Sequence, residues 1–188
     1  MDRILFINAC PRPDSRTREL AQHVLTKLEG NVETLHLFDE NIPPLDMAGM
    51  TERDRAVREG DWDAPILRYA RQFAAADTVV LAAPYWDLLF PAVVRAYFEA
   101  VTVTGVTFRY TPEGFPAGMC HAKKLIYITT AGGPIGEYNL GFDYIKALST
   151  LYYGIPEVQC FTAEFLDIVG ADVPTILAGA KQAVDDQL

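Results

Sequence analysis

Residues 77–84 read DTVVLAAP, and this run restricts the fold more than any other stretch of the chain. It is β-branched and uninterrupted, apolar from Val79 to Ala83. A strand with one wet face alternates polar and apolar residues, so a strand apolar throughout is buried on both faces. Such strands sit inside parallel sheets. Parallel neighbours cannot be joined by tight turns and need long crossovers, usually helices. The rest of the chain is therefore expected to alternate strands with helices.

The pattern follows that expectation. RILFIN (3–8) and KKLIYITT (123–130) read as further buried strands, VETLHLFD (32–39) as a strand and EVQCFTAEF (157–165) as the last one. Between them Leu20, Val24 and Leu28 recur at i, i+4 and i+8, one face of a helix that stops near Gly30. Residues 63–76 repeat with helical period through Ile66, Leu67, Tyr69, Ala70 and Phe73. Pro91 suits the first turn of a helix that turns Val94, Tyr97, Phe98 and Val101 inward. Helices over 141–153 and 172–187 complete the series. Residues 40–62 form a long connection with a short helix within 51–59, and the Gly- and Pro-punctuated stretch 105–118 reads as a hairpin. No repeat, low-complexity segment or linker interrupts the chain, so 1–188 is expected to be a single domain. The order β-α-β-α-β-α-β-α-β-α predicts an α/β fold with a parallel sheet covered on both faces. Right-handed crossovers leave few topologies. Five strands fit the order 2-1-3-4-5, a flavodoxin-like three-layer sandwich.

Composition removes several function classes. Sixteen Lys and Arg against 25 Asp and Glu give a net charge of −9. Nucleic-acid binding needs a basic field, so no nucleic-acid partner is expected. No apolar run approaches the ~20 residues of a membrane span. Asp2 and Arg3 lead straight into the first strand without the layout of a secretory signal, and the expected setting is the cytoplasm. Cys10, Cys120 and Cys160 are odd in number and lack CxxC spacing, which argues against a disulfide framework. His23, His36 and His121 are scattered, so no metal site is expected.

In a sheet of this order, ligands bind beyond the carboxyl ends of the strands, between strands one and three with strand four adjacent. The loops there are NACPRPDSRT (8–17), PYWDLLFP (84–91) and TTAGGPIGEY (129–138). The first opens a helix, whose unpaired N–H groups and dipole favour an anion. Cys10, Arg12, Ser15, Arg16 and Thr17 surround that point, with Arg18 nearby. Ser15 or Thr17 equally serves as a plain N-cap with the arginines in solvent. The second loop sets Pro84, Tyr85, Trp86, Asp87 and Leu88 in a row. Its aromatics either cover a flat ligand or pack under the 40–62 excursion. The third offers Thr130, Ala131, Gly132 and Gly133. Glycines admit close backbone approach, and N–H groups there would stabilise an atom that becomes negative on reduction; the alternative is an ordinary flexible turn. Together the loops favour a phosphate at one end and a planar, reducible ring at the other, which describes flavin mononucleotide (FMN).

Cys10 and Arg16-Thr17 also have the C-x5-R-[ST] spacing of a phosphatase loop, with the thiolate as nucleophile. The intervening chemistry opposes that reading. Pro11 and Pro13 have no N–H to offer an anion, Asp14 would stand beside a dianion, and the chain has no Asp-Pro dipeptide to serve as acid. A dinucleotide fingerprint fails because the loop has no glycine. Cys10 then reads as a small residue at a strand end, a wall of the phosphate site.

With these residues the chain resembles the FMN-dependent azoreductases and NAD(P)H:quinone oxidoreductases of the flavodoxin-like fold. The most specific piece is TGVTFRYTPEGFPAG (104–118). Cys10-Pro11-Arg12 with Ser15-Arg16-Thr17, Pro84 to Leu88, and Thr129 to Gly133 follow the family's three loops, in order, across nearly the whole chain. The resemblance implies that the first loop holds the FMN phosphate, that Tyr85 to Leu88 line the isoalloxazine and that Thr130 to Gly133 bind its pyrimidine end. It implies a substrate pocket reached by Phe108, Tyr110 and Tyr138, with Tyr138 the one side chain that is a catalytic candidate. It further implies a homodimer with flavin near the interface. NADH or NADPH would pass a hydride to flavin N5 and leave, and a quinone or azo compound would then take two electrons in a ping-pong cycle. The cofactor carries that chemistry, so no side chain need act as acid or base. Cys10 in place of a serine, Asp87 in place of an asparagine and Ala131 in place of an arginine depart from the family pattern. Two other readings remain at this point: a flavodoxin-type electron carrier, against which the 105–118 excursion stands, and a cofactor-free binding protein of the same fold.

Overall fold

Strands and helices alternate from the first residues onward. The strands are β1 (Arg3–Asn8), β2 (Asn31–His36), β3 (Thr78–Ala82), β4 (Phe108–Tyr110), β5 (Pro116–Gly118), β6 (Lys124–Thr130) and β7 (Glu157–Ala163). The helices are α1 (Arg16–Leu25), α2 (Met47–Glu59), α3 (Arg68–Ala75), α4 (Ala92–Val101), α5 (Leu140–Leu148) and α6 (Val173–Asp185). The structure is a computed structural model that describes all 188 residues. Five strands form one parallel sheet in the order β2-β1-β3-β6-β7. In that sheet's own numbering the order is 2-1-3-4-5, as expected, because β4 and β5 stand apart as an antiparallel hairpin.

The period-2 alternation of the central strands divides the core in two. Leu5, Ile7, Val79, Leu81, Leu125 and Tyr127 pack with Phe73, Tyr97, Phe98 and Ile145 from α3, α4 and α5. Ile4, Phe6, Val80, Ala82, Ile126 and Ile128 pack with Leu20, Val24, Leu177 and Val184 from α1 and α6. The layers are therefore helix, sheet, helix. Each large side chain buried this way contributes roughly 1.5–3 kcal/mol, on both faces of β3, which is why DTVVLAAP carries no polar position from Val79 to Ala83.

Local chemistry explains where the elements differ from expectation. α2 is longer than the 51–59 helix because Asp46 caps it, its carboxylate accepting from the Gly49 N–H at 2.8 Å, and it ends where Gly60 turns left-handed at φ 69°. The expected helix over 63–76 begins as a 3-10 turn, Pro65–Leu67, before α3. α1 stops at Leu25, so Leu28 lies beyond it. The expected helix over 141–153 relaxes after Leu148 into a single π turn, Ser149–Tyr153, closed by Gly154 at φ 72°.

The hairpin docks on that turn. A Cβ at Gly118 would fall on backbone atoms of Tyr153 and Gly154. The chain leaving the hairpin is tied down by the Cys120 N–H to the Tyr153 carbonyl (3.4 Å) and the His121 N–H to the Ala74 carbonyl (2.9 Å). Those residues precede β3, β6 and β7, so the hairpin is anchored at the amino ends of the strands.

Candidate functional site

At the opposite edge, β1, β3, β6 and β7 end together. Backbone bonds bind their trailing residues: Ala9 N–H to Ala82 O (2.8 Å), Ala83 N–H to Ile128 O (3.0 Å) and Ala131 N–H to Ala163 O (2.9 Å). The loops that follow enclose a cavity of about 310 Å³, within the range of small-molecule sites.

Its first wall is the start of α1. Ser15 has extended backbone (φ −65°, ψ 123°), and its Oγ accepts from the Arg18 N–H at 3.3 Å. Capping therefore leaves room for an anion at the same helix start. The cap satisfies Arg18, and the first-turn N–H groups of Arg16 and Thr17 keep no intrahelical partner. Arg12, Ser15, Arg16 and Thr17 all line the cavity. Thr17 is buried, with its Oγ1 2.6 Å from Thr130 Oγ1, a bond that ties the first loop to the third. Arg16 Nη1 donates to Asp167 Oδ1 (2.7 Å) and to the Leu166 carbonyl (3.1 Å).

The second wall is held by the Tyr85 N–H, which donates to the Thr130 carbonyl at 3.0 Å. Trp86 and Leu89 then exchange backbone hydrogen bonds (3.1 and 2.8 Å) around Asp87 (φ 50°) and Leu88 (φ 70°). Positive φ at both central residues is the type I′ turn, normally built with Asn or Gly. Leucine there is strained. Pro84, Tyr85 and Trp86 line the cavity; Asp87 and Leu88 do not. The third wall is Thr130, Ala131 and Gly132, with Gly133 outside it. The Gly132 carbonyl accepts from the Asp167 N–H at 3.0 Å, and the Gly132 N–H meets no backbone carbonyl.

Cys10 stands behind these walls. It is buried, its N–H donates to Asn8 Oδ1 at 3.0 Å, and its Sγ lies 3.8 Å from the Ala82 carbonyl oxygen. Burial pushes its thiol pKa up, outweighing the hydrogen bond from Ser15 and the charge of Arg18. A thiol buried behind the cavity lining, with its pKa raised and not lowered, lacks the surroundings of a phosphatase nucleophile. Asn8 is fixed in turn by its Nδ2, 2.9 Å from His36 Nδ1.

Three residues expected at a substrate pocket are spread out. Phe108 is buried under Tyr110 and Tyr152, and both Phe108 and Tyr110 belong to the hairpin at the amino ends of the strands, away from this chain's cavity. Tyr138 is exposed beside the second wall, its carbonyl accepting from the Tyr85 hydroxyl at 3.0 Å. Sequence reasoning missed Leu166 and Asp167, which line the cavity from the segment after β7. The signal was available: β7 neighbours β6, so its trailing segment must also reach the carboxyl edge. Pro11 and Asp14 line the cavity as well.

The site has a polar end, made of a helix N-terminus, hydroxyls and guanidinium groups, and an end made of aromatics and glycine backbone. None of its side chains is a histidine or cysteine. No three His, Cys, Asp or Glu side chains cluster closely enough to hold a metal ion. Redox chemistry here requires an imported group, and the donor set fits one with a phosphate and a flat ring. No helix is long and apolar enough to cross a membrane.

Comparison with known proteins agrees with this geometry. The family model described as flavodoxin-like fold matches residues 2–188. An FMN-dependent NADH:quinone oxidoreductase of Lachnoclostridium phytofermentans is 36% identical over 97% of this chain and 96% of its own length. One of Clostridium acetobutylicum is 35% identical over 100% and 98%. Among solved structures, an azoreductase from Bacillus anthracis strain Sterne superposes with a TM-score of 0.85, covering 99% of this chain and 98% of that one at 24% identity. That last likeness is one of fold.

Proposed function

This chain belongs to the flavodoxin-like family that includes the FMN-dependent NADH:quinone oxidoreductases, and from that membership we propose that it is itself such an enzyme, reducing quinones and azo compounds. The observation that carries the reading is the two-ended cavity at the carboxyl edge of the sheet. When bound, FMN supplies two-electron transfer between a nicotinamide donor and the acceptor. The chain's own residues bind and orient it. Arg12, Ser15, Arg16 and Thr17 would receive the phosphate at the start of α1. Tyr85 and Trp86 would cover the ring, and the backbone of Thr130 to Gly133 would meet its polar edge. Cys10 backs these walls, Asp87 and Leu88 form the turn beside Trp86, and Tyr138 would flank the acceptor's approach. One domain, 1–188, suffices for the site.

The named relatives are NADH enzymes, and NADH is the proposed donor in preference to NADPH. Trp86, which lines the cavity, is exposed, and so are Leu88, Leu89, Tyr138 and Leu140 on the segments joined to the second wall. Exposed apolar residues gathered at one place favour an interface, and the proposed occupant is a second copy of the chain. The three cysteines are unpaired, which supports placement in the cytoplasm.

The test is NADH consumption by FMN-loaded protein. Adding menadione or an azo dye should accelerate it, and removing FMN should abolish it. An electron carrier would not turn over with menadione, so no acceleration there contradicts the enzyme reading.

A further inference from the structure

We propose that Asp167 is an internal competitor for the cofactor's phosphate: it holds the Arg16 guanidinium when no phosphate does, and so sets how tightly FMN is retained. The inference rests on the reading of the cavity as an FMN site.

Three observations carry it. The first is the commitment of Arg16, whose Nη1 makes both of its bonds to the segment after β7, at 2.7 Å to Asp167 Oδ1 and 3.1 Å to the Leu166 carbonyl. A phosphate takes a guanidinium best through two parallel N–H bonds; with Nη1 committed, only the Nε and Nη2 edge is left for such a pair. The second is charge. The ionised side chains lining the cavity are Arg12 and Arg16 against Asp14 and Asp167, so their formal charges cancel. A dianion entering there gains from helix N–H groups and hydroxyls but meets no net positive side-chain charge.

The third is that Asp167 is held in place. Its N–H donates to the Gly132 carbonyl at 3.0 Å, and a Cβ at Gly132 would collide with its carboxylate. The carboxylate therefore sits where the first and third walls meet, beside the expected phosphate position. A carboxylate and a phosphate sharing one guanidinium repel each other. Binding FMN must release Arg16 from Asp167 or accept that repulsion, and either lowers affinity for the phosphorylated flavin alone.

The experiment titrates FMN, and separately riboflavin, into wild type and Asp167→Asn, following flavin fluorescence at low ionic strength. Asp167 is exposed, with 71% of its side-chain surface accessible, so the variant is expected to fold; Asp167→Ser, which cannot mimic the carboxylate's shape, is the second variant. FMN should bind about three- to tenfold more tightly to both variants, the effect of removing one like charge near the surface. Riboflavin, lacking the phosphate, should change by less than about twofold. FMN binding that is unchanged or weaker would overturn the proposal, because Asp167 would then orient Arg16 for the phosphate rather than compete with it. Equal tightening of both flavins would overturn it too. A wild type that binds neither flavin would overturn the reading of the cavity itself, a result distinct from the others.

Discussion

Cys10 shows what one residue's surroundings add to its spacing. Its distance in sequence from Arg16 fits a nucleophile, but its pKa is raised by burial and its sulfur faces the Ala82 carbonyl. A raised pKa keeps the thiol protonated below its ordinary value near 9, and the thiolate appears only as pH climbs through the shifted value. Alkylation of Cys10 by iodoacetamide, mapped by mass spectrometry, should therefore be slow at pH 7 and rise only above pH 9. Rapid alkylation at pH 7 would restore the reactive-thiolate reading. Ser15, Arg16 and Thr17 were legible as the start of a helix because capping is local chemistry. Asp167 was not legible, because it meets Arg16 across 151 positions of sequence and no short-range pattern marks it. The turn at Asp87 and Leu88 was also hidden, since nothing in WDLL announces two residues at positive φ.

Among the elements, the hairpin divides what sequence conveys from what it does not. Its glycines and prolines mark β4 and β5 correctly. They do not say where the pair docks, which is decided by the close approach of Gly118 to Gly154. That is why Phe108 and Tyr110, expected near the ligand, stand at the other end of the strands. Gly118→Ala puts a methyl group on backbone that cannot rotate away, and overpacking of this kind costs about 1–3 kcal/mol. Urea unfolding should register that loss while FMN affinity stays within about twofold of wild type. An unperturbed unfolding midpoint would mean the contact is looser than described. Asp46 makes the converse point: its capping extended α2 four residues ahead of the expected helix, and the Asp46–Gly49 pairing was readable but lay inside a stretch taken as connection.

For the molecule as a whole, the sheet order was legible because β1, β3 and β6 are apolar on both faces and so can only be interior. Once they are central, right-handed crossovers fix the rest, and the ligand edge follows from the topology. The net charge of −9 means that an anion must be held by local features, here the start of α1 with its N–H groups, hydroxyls and arginines. The central claim is that one cavity serves donor and acceptor in turn, through a flavin that stays bound. It is tested most directly by initial rates of FMN-loaded protein with NADH varied at several fixed menadione concentrations. Parallel double-reciprocal lines, the pattern of a ping-pong cycle, are the predicted result. Lines that intersect would mean that donor and acceptor bind together, and an absence of menadione-dependent NADH oxidation would contradict the account outright.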